Sequence, residues 1–165
     1  MNMTNLEIME SFGAEVRKKV NLMFPTEKNV NYLLKKIIER LGGKIIGTDE
    51  PVYTTKIDGS LHIKSMEDFI IKLPLFSSPL RDNFTLAHEL AHYLIHYSGI
   101  GTATYTRYGE DAKEIEANRF AASFLMPRDE FLKAREELND SIGLLAARFQ
   151  VPMDIVKDRM EYVHA

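Results

Sequence analysis

One apolar segment, Phe84–Tyr97 (FTLAHELAHYLIHY), constrains the fold of this 165-residue chain more than any other. The segment has no Lys or Arg and only one carboxylate, that of Glu89, and a helix that is apolar on all sides is normally buried. His88 and His92 flank Glu89 in an HExxH pattern, and residues four apart share one helix face. Because a buried carboxylate beside two imidazoles is costly without compensation, we expect the pair of histidines to hold a divalent cation.

Composition narrows the remaining possibilities. A length of 165 residues predicts one domain, and 45% hydrophobic with 27% charged residues is typical of a globular protein. A net charge of -3 argues against broad nucleic-acid binding, and the lack of cysteine excludes thiolate ligands and cysteine nucleophiles. The N-terminus carries early acidic residues and no apolar run, and no segment approaches the roughly 18 apolar residues of a spanning helix. We therefore expect a cytoplasmic protein with no membrane contact.

Periodicity and chain breakers predict an α+β fold. Apolar residues at helical spacing indicate two N-terminal helices, which end at Pro25 and at Gly42-Gly43. Four strands are predicted, at Lys44–Gly47, Val52–Ile57, Leu61–Lys64 and Phe69–Leu73. Asp58-Gly59 is a hairpin-turn signal between the second and third of them. We expect a small antiparallel sheet packed against the buried HExxH helix, which would begin at a cap formed by Asp82 or Asn83, and further helices after it.

A catalytic zinc site usually has three protein ligands, so the two histidines need a partner. The apolar face of the predicted helix Glu110–Met126 includes Ala117 and Ala121, and Glu114 falls on that face. A carboxylate that points into a core needs a counter-charge, so Glu114 is the favoured third ligand. Glu110 lies one turn earlier on the same side and is the second choice, although it could serve only as first-turn charge at the helix N-terminus.

Three nearby residues receive lesser roles. His96 extends the pattern to HExxHxxxH, but a helical pitch of about 5.4 Å places it too far along a straight helix to share the ion. We expect His96 to support a ligand or simply to pack. Glu116 is predicted to face solvent beside Arg119, whereas Asn118 could orient a ligand histidine through its side-chain oxygen.

The stretch Gly101–Gly109 is polar, aromatic and irregular, and it separates the two parts of the predicted site. Loops in such positions often contact substrate, although a plain connector is the simpler interpretation. Tyr105, Arg107 and Tyr108 are the candidates here for stabilising an oxyanion, and the sequence does not choose among them.

Two motifs together, FTLAHELAHYLIH and EIEANRFAASFLMP, resemble the ImmA/IrrE family of metallopeptidase-like proteins. The resemblance implies a zincin-like fold with two histidines and one glutamate as ligands. The family's third ligand is the Glu of an ExxAN motif, which falls on Glu114 and so agrees with the helix-face argument. The match is good from the hairpin region to Pro127 and loose elsewhere.

The resemblance predicts a zinc-dependent endopeptidase in which Glu89 is the general base, with Mn²⁺ or Fe²⁺ as alternative metals. It also implies a narrow substrate, a helix-turn-helix (XRE-type) repressor of the phage or mobile-element kind. The alternative is a zincin-like regulatory or binding module that controls a transcription factor or a toxin-antitoxin pair with little proteolysis.

The tail resembles a helix-turn-helix around Gln150-Val151-Pro152, with Gln150 where Gly is usual. Its cations are offset by acidic residues, which disfavours direct DNA binding because phosphate contacts need a net basic face. We therefore divide the chain into a metallopeptidase domain at 1–140 and a helical appendage at 141–165 that packs on the same domain.

Overall fold

A computed structural model describes residues 3–49, 59–106 and 111–164. Within these ranges the helices are α1 Asn5–Met23, α2 Val30–Arg40, α3 Pro79–Ala91, α4 Ala112–Leu125, α5 Arg128–Glu137, α6 Ile142–Phe149 and α7 Met153–Tyr162. The strands are β1 Gly43–Thr48, β2 Ser60–Ser65, β3 Asp68–Pro74 and β4 Ala103–Thr106, and α3 continues into a π-helical segment, His92–His96. The α+β class predicted from the sequence is confirmed.

The first helix is held closely against the helix that carries Glu114. Its start is a capping box, in which Thr4 accepts from the Glu7 amide and Glu7 accepts from the Thr4 amide. Gly13 lies where α1 crosses α4, and a Cβ at this position would lie 2.6 Å from the carbonyl oxygen of Phe120. The hydroxyl of Ser123 donates to the carbonyl of Glu10 across the same contact. The absence of a side chain at Gly13 therefore sets the spacing between the two helices.

The sheet has the strand order β1-β3-β2-β4. β2 is antiparallel to both β3 and β4, which confirms the predicted small antiparallel sheet for these strands, whereas β1 pairs with β3 in parallel. Strand β3, which contains the predicted strand Phe69–Leu73, is interior to the described sheet, and β4 lies at one edge. The predicted strand Val52–Ile57 and the turn residue Asp58 lie outside the described residues.

One face of the sheet packs on the HExxH helix. Alternate residues of β2 and β3 are buried: Leu61, Ile63, Phe69, Ile71 and Leu73. They belong to the same core cluster as the apolar residues of α3 and α4. Because successive side chains alternate across a strand, His62 and Lys72 lie on the opposite face. The register pairs Leu61 with Tyr105, which places Tyr105 on the face that meets the helices.

The predicted pair of helices around Gln150-Val151-Pro152 is confirmed as α6 and α7. Arg159 of α7 is fully buried and makes two hydrogen bonds to the Glu10 carboxylate, at 2.6 and 2.7 Å. Asp154, at the start of α7, forms an ion pair with Arg81 of α3 at 2.9 Å. These contacts pair Asp154 and Arg159 with residues of α3 and α1, so α7 is packed on the rest of the protein. The division at 1–140 and 141–165 stays a prediction.

Gln150 adopts the left-handed conformation, with φ of 57°, that ends many helices and usually favours Gly. Its side chain accepts from the Val30 amide and donates to the Lys28 carbonyl, both at 3.0 Å. The backbone carbonyl of Gln150 accepts from the Asn83 side chain. The residue that departs from the helix-turn-helix pattern therefore joins the tail to α2 and α3. None of the helices in the described ranges combines the length and apolar character that a membrane crossing requires.

Candidate metal centre

The HExxH helix begins earlier than predicted. Ser78 caps it by accepting from the Arg81 amide, and Pro79 occupies the first turn, where its missing N–H has no cost. The prediction that Asp82 or Asn83 caps the helix was therefore wrong. Every residue from 83 to 91 is buried, which confirms the prediction that this apolar helix lies in the core.

The helix widens as it leaves His92. The Tyr97 amide donates to the His92 carbonyl at 2.9 Å, which is the i to i+5 bond of a π-helix rather than the i to i+4 bond of an α-helix. Tyr93 fixes this segment to the sheet, because its ring stacks on Phe69 with centroids 4.1 Å apart and its hydroxyl accepts from the Glu67 amide. Single π-helical turns occur frequently at functional sites.

Helix α4 brings the carboxylate partner to the histidines. Asp111 caps α4 by accepting from the backbone amide of Glu114, so Glu114 lies in the first turn. Its carboxylate oxygens lie 3.0 Å from His88 Nε2 and 2.8 Å from His92 Nε2, and the two Nε2 atoms are 3.1 Å apart. All three side chains are buried. Among the described residues, this is a group whose ligand atoms converge closely enough to hold a metal ion.

The spacing of these atoms fits a small divalent cation. Tetrahedral bonds of about 2.0–2.1 Å place two ligand atoms about 3.3 Å apart, so the observed spacing of 2.8–3.1 Å needs only a few tenths of an ångström of opening. The donor chemistry fits too. His88 Nδ1 lies 2.8 Å from Asn118 Oδ1, an acceptor, so in the neutral ring Nδ1 carries the proton and Nε2 turns a lone pair toward Glu114. A cation is what such converging acceptors require.

The surroundings of Glu114 favour the ionised form of its side chain. Burial raises the pKa of Glu114, but hydrogen bonds donated by His88 and His92 in their protonated forms, together with the positive charge of those rings, outweigh burial and hold that pKa far below its usual value. With neutral rings, a bound cation would supply that positive charge instead. Glu114 is therefore a carboxylate at neutral pH, which is the form that binds metal. The role of His88, His92 and Glu114 as ligands stays a prediction; their convergence is observed.

Each of the two histidines has a partner behind it. His88 contacts Asn118, which is itself exposed, and His92 Nδ1 lies 2.8 Å from His96 Nδ1. His96 Nε2 in turn lies 3.2 Å from Glu116 Oε2. Burial lowers the pKa of His96, although the bond to Glu116 opposes that shift. His96 thus contacts the back of His92 and not the converging ligand atoms.

The prediction that Glu116 faces solvent was wrong. Its side chain is only 19% exposed and is turned toward His96. The prediction rested on the face of α4 that Glu116 shares with Arg119, and it took no account of His96, whose Nε2 lies 3.2 Å from Glu116 Oε2. The distribution of apolar and polar residues around α4 alone does not predict this contact.

Glu89 and Tyr105 complete the surroundings. Glu89 is fully buried, and a Cβ at Gly59 would lie 3.9 Å from its Oε1, so the chain entering β2 passes beside this carboxylate. The ring of Tyr105, on β4, stacks on His92 with centroids 4.7 Å apart and a 12° angle between planes. The sequence had marked Tyr105 as part of an irregular loop; it lies instead on a strand. Arg107, Tyr108 and Glu110 lie outside the described residues.

A buried HExxH helix, a glutamate from a following helix and a small sheet alongside define a zincin-like fold. Residues 70–161 match the family model of the IrrE N-terminal-like domain (Peptidase_M78), and the chain belongs to that family. No curated protein matches the chain. Among solved structures, it is similar to a chain described as a Mycobacterium tuberculosis transcriptional regulator, with 20% identity and a TM-score of 0.61. The likeness covers 99% of this chain but only 53% of the other, and at this identity it shows the fold alone.

Proposed function

We propose that this protein is a zinc-dependent endopeptidase in which His88, His92 and Glu114 hold the metal. The observation that carries the proposal is the burial of Glu89, which stands between His88 and His92 in the sequence of a helix that is buried on all sides from residue 83 to residue 91. A structural metal site does not need a second, non-ligating carboxylate, whereas hydrolysis needs a base beside the metal. Imidazole and carboxylate ligands suit zinc, and Mn²⁺ or Fe²⁺ fits the same donors.

The roles of the side chains follow from their places. An ion held by the three ligands supplies Lewis-acid polarisation of the scissile carbonyl and lowers the pKa of water toward about 7. Glu89 accepts the proton of the attacking water and later donates it to the nitrogen of the leaving amine. Tyr105, whose ring lies against His92, is the candidate for stabilising the oxyanion among the described residues. Arg107 and Tyr108 are the other two candidates from the sequence.

The substrate is proposed to bind as an extended strand along β4. Strand β3 is in the interior of the described sheet, whereas β4 lies at its edge and carries Tyr105 against the candidate site. An edge strand offers backbone donors and acceptors to an incoming peptide. The family resemblance supports a protein substrate of the helix-turn-helix (XRE-type) repressor kind.

The test compares the zinc-loaded wild-type protein with Glu89→Gln on the repressor-type protein encoded nearest to its gene. Cleavage is followed by mass spectrometry of the intact proteins and fragments. Glu89→Gln should retain zinc and lose cleavage by about 10²-fold or more, because proton transfer by a positioned base contributes that much. Glu136→Gln, at an exposed position of α5, is the matched control and should cleave like the wild type.

Two results would count against the proposal. Undiminished cleavage by Glu89→Gln would remove Glu89 as the base. Tight binding of the repressor with no cleavage by the zinc-loaded wild type would favour the alternative of a regulatory module, which the likeness to a chain described as a transcriptional regulator makes worth measuring.

A further inference from the structure

Two side chains, those of His96 and Glu116, form a line behind the candidate ligand His92. His92 Nδ1 lies 2.8 Å from His96 Nδ1, and His96 Nε2 lies 3.2 Å from Glu116 Oε2. The His96 side chain is 6% exposed and that of Glu116 is 19% exposed, so water has little access to the line. The line joins the π-helical turn to α4, which is also the helix that carries Glu114.

The hydrogen bonds fit one arrangement of protons. His92 Nε2 points to Glu114 and to His88 Nε2, so as a ligand it presents a lone pair there and carries its proton on Nδ1. His96 Nδ1 must then accept that proton's hydrogen bond, which leaves the His96 proton on Nε2. A carboxylate is an acceptor only, and Glu116 is placed to accept from His96 Nε2. The Glu116 carboxylate, at one end of the line, therefore determines the tautomer of His92 at the other end.

We propose that Glu116, acting through His96, is a positioning residue that fixes the tautomer and orientation of His92 for metal binding. The inference rests on the proposed metal site, but it does not depend on whether that site hydrolyses peptides. Side chains that support metal-ligating histidines typically change metal affinity 10- to 100-fold when they are removed.

The two candidate histidine ligands are supported in different ways. Both rings contact Glu114 through Nε2, at 3.0 Å for His88 and 2.8 Å for His92. At Nδ1, His88 contacts the neutral amide of Asn118, on an exposed part of α4, whereas His92 contacts His96 and is also stacked on the ring of Tyr105. The line through His96 ends in a charged acceptor, and hydrogen bonds to charged groups are stronger than those to neutral ones. Removal of the Glu116 carboxylate should therefore lower the metal affinity even though Glu116 is not a ligand.

The experiment measures zinc affinity by competition with a chromogenic chelator, and the visible absorption of the cobalt-substituted protein. Glu116→Leu keeps the size and helix preference of the side chain but removes the acceptor. Glu116→Gln keeps an acceptor oxygen for His96. Zinc affinity should fall about 10- to 100-fold in Glu116→Leu, with an altered cobalt spectrum, and Glu116→Gln should restore most of both. Glu136→Ala, a glutamate substitution on exposed α5, should match the wild type.

Each outcome decides the question. Equal zinc affinity and equal cobalt spectra in Glu116→Leu and the wild type would overturn the inference while leaving the metal site standing. A loss in Glu116→Leu that Glu116→Gln does not reverse would also overturn it, because the acceptor oxygen would then not be the cause. If circular dichroism shows that Glu116→Leu is unfolded, Glu116→Ala takes its place under the same criteria. A wild-type protein that binds no zinc would refute the proposed site and this inference together.

Discussion

Replacing Arg159 with methionine should destabilise the protein by about 3 kcal/mol. The guanidinium is fully buried, makes two bonds to the Glu10 carboxylate and donates to the Met126 carbonyl. Removing one partner of a buried ion pair costs about 3–5 kcal/mol, because the remaining charge has lost its counter-charge. The Glu10 side chain is 22% exposed, so water can reach it, which places the expected loss near the lower end of that range.

A double substitution separates the charge effect from packing. Adding Glu10→Leu to Arg159→Met removes the stranded carboxylate, so the double variant should recover part of the loss, with a coupling of about 2 kcal/mol. The free energy of unfolding is measured by urea denaturation followed by circular dichroism, with a chelator present so that metal binding does not contribute. Lys133→Met, at an exposed position of α5, is the control and should change stability by less than about 0.5 kcal/mol.

Two results would refute this reasoning. A loss below about 1 kcal/mol for Arg159→Met would mean that the ion pair is not an effective link between α7 and α1. Strictly additive effects of the two substitutions would mean that Glu10 and Arg159 do not stabilise each other. Either result would favour an independently mobile tail over a tail that belongs to the same folded unit.

Two further predictions follow from the candidate site and the tail. Zinc at about 1,000 times its dissociation constant should stabilise the wild type by about 4 kcal/mol, which is measured as a rise in the thermal midpoint of unfolding. Glu114→Ala should lose most of that rise. An undiminished rise in the variant would contradict the role of Glu114 as a ligand. Gln150→Ala should cost about 1–2 kcal/mol in urea denaturation, because the Lys28 carbonyl and the Val30 amide lose their partner, and a smaller loss would show that the side-chain bonds contribute little. Gln150→Gly should be less damaging because Gly accepts a φ of 57° freely, and a reversed order would show that backbone strain at this position contributes little.

The sequence was most informative where a pattern is local. Helical spacing of apolar residues predicted α1, α2 and the buried part of α3, because burial of one stripe or of the whole surface leaves a direct trace in composition. It misplaced the start of α3, since Ser78 followed by Pro79 is also a helix-start signal and lay in what was interpreted as a loop. The face of Glu114 was predictable for the same local reason.

Contacts between residues that are distant in the sequence could not be predicted from local residue patterns. The parallel pairing of β1 with β3 joins residues more than twenty positions apart in sequence, and nothing in either strand specifies the other as its neighbour. Strand β4 is four residues long, too short for alternation to distinguish it from a loop. The contact between His96 and Glu116 needed two facts at once, the widened turn after His92 and the packing of α4 beside it, and neither follows from spacing along one helix.

The polar contacts of the first half of α3 have a consequence for the energetics of metal capture. Asn83, which is almost fully buried, donates to the Gln150 carbonyl and accepts from Asn31, and Arg81 is paired with Asp154. These bonds immobilise the helix one turn before His88, so the imidazoles lose their freedom when the chain folds and not when an ion arrives. Unlike domains that are unfolded without their metal, a candidate site that is preorganised in this way would bind an ion without a further entropic cost for ordering its ligands.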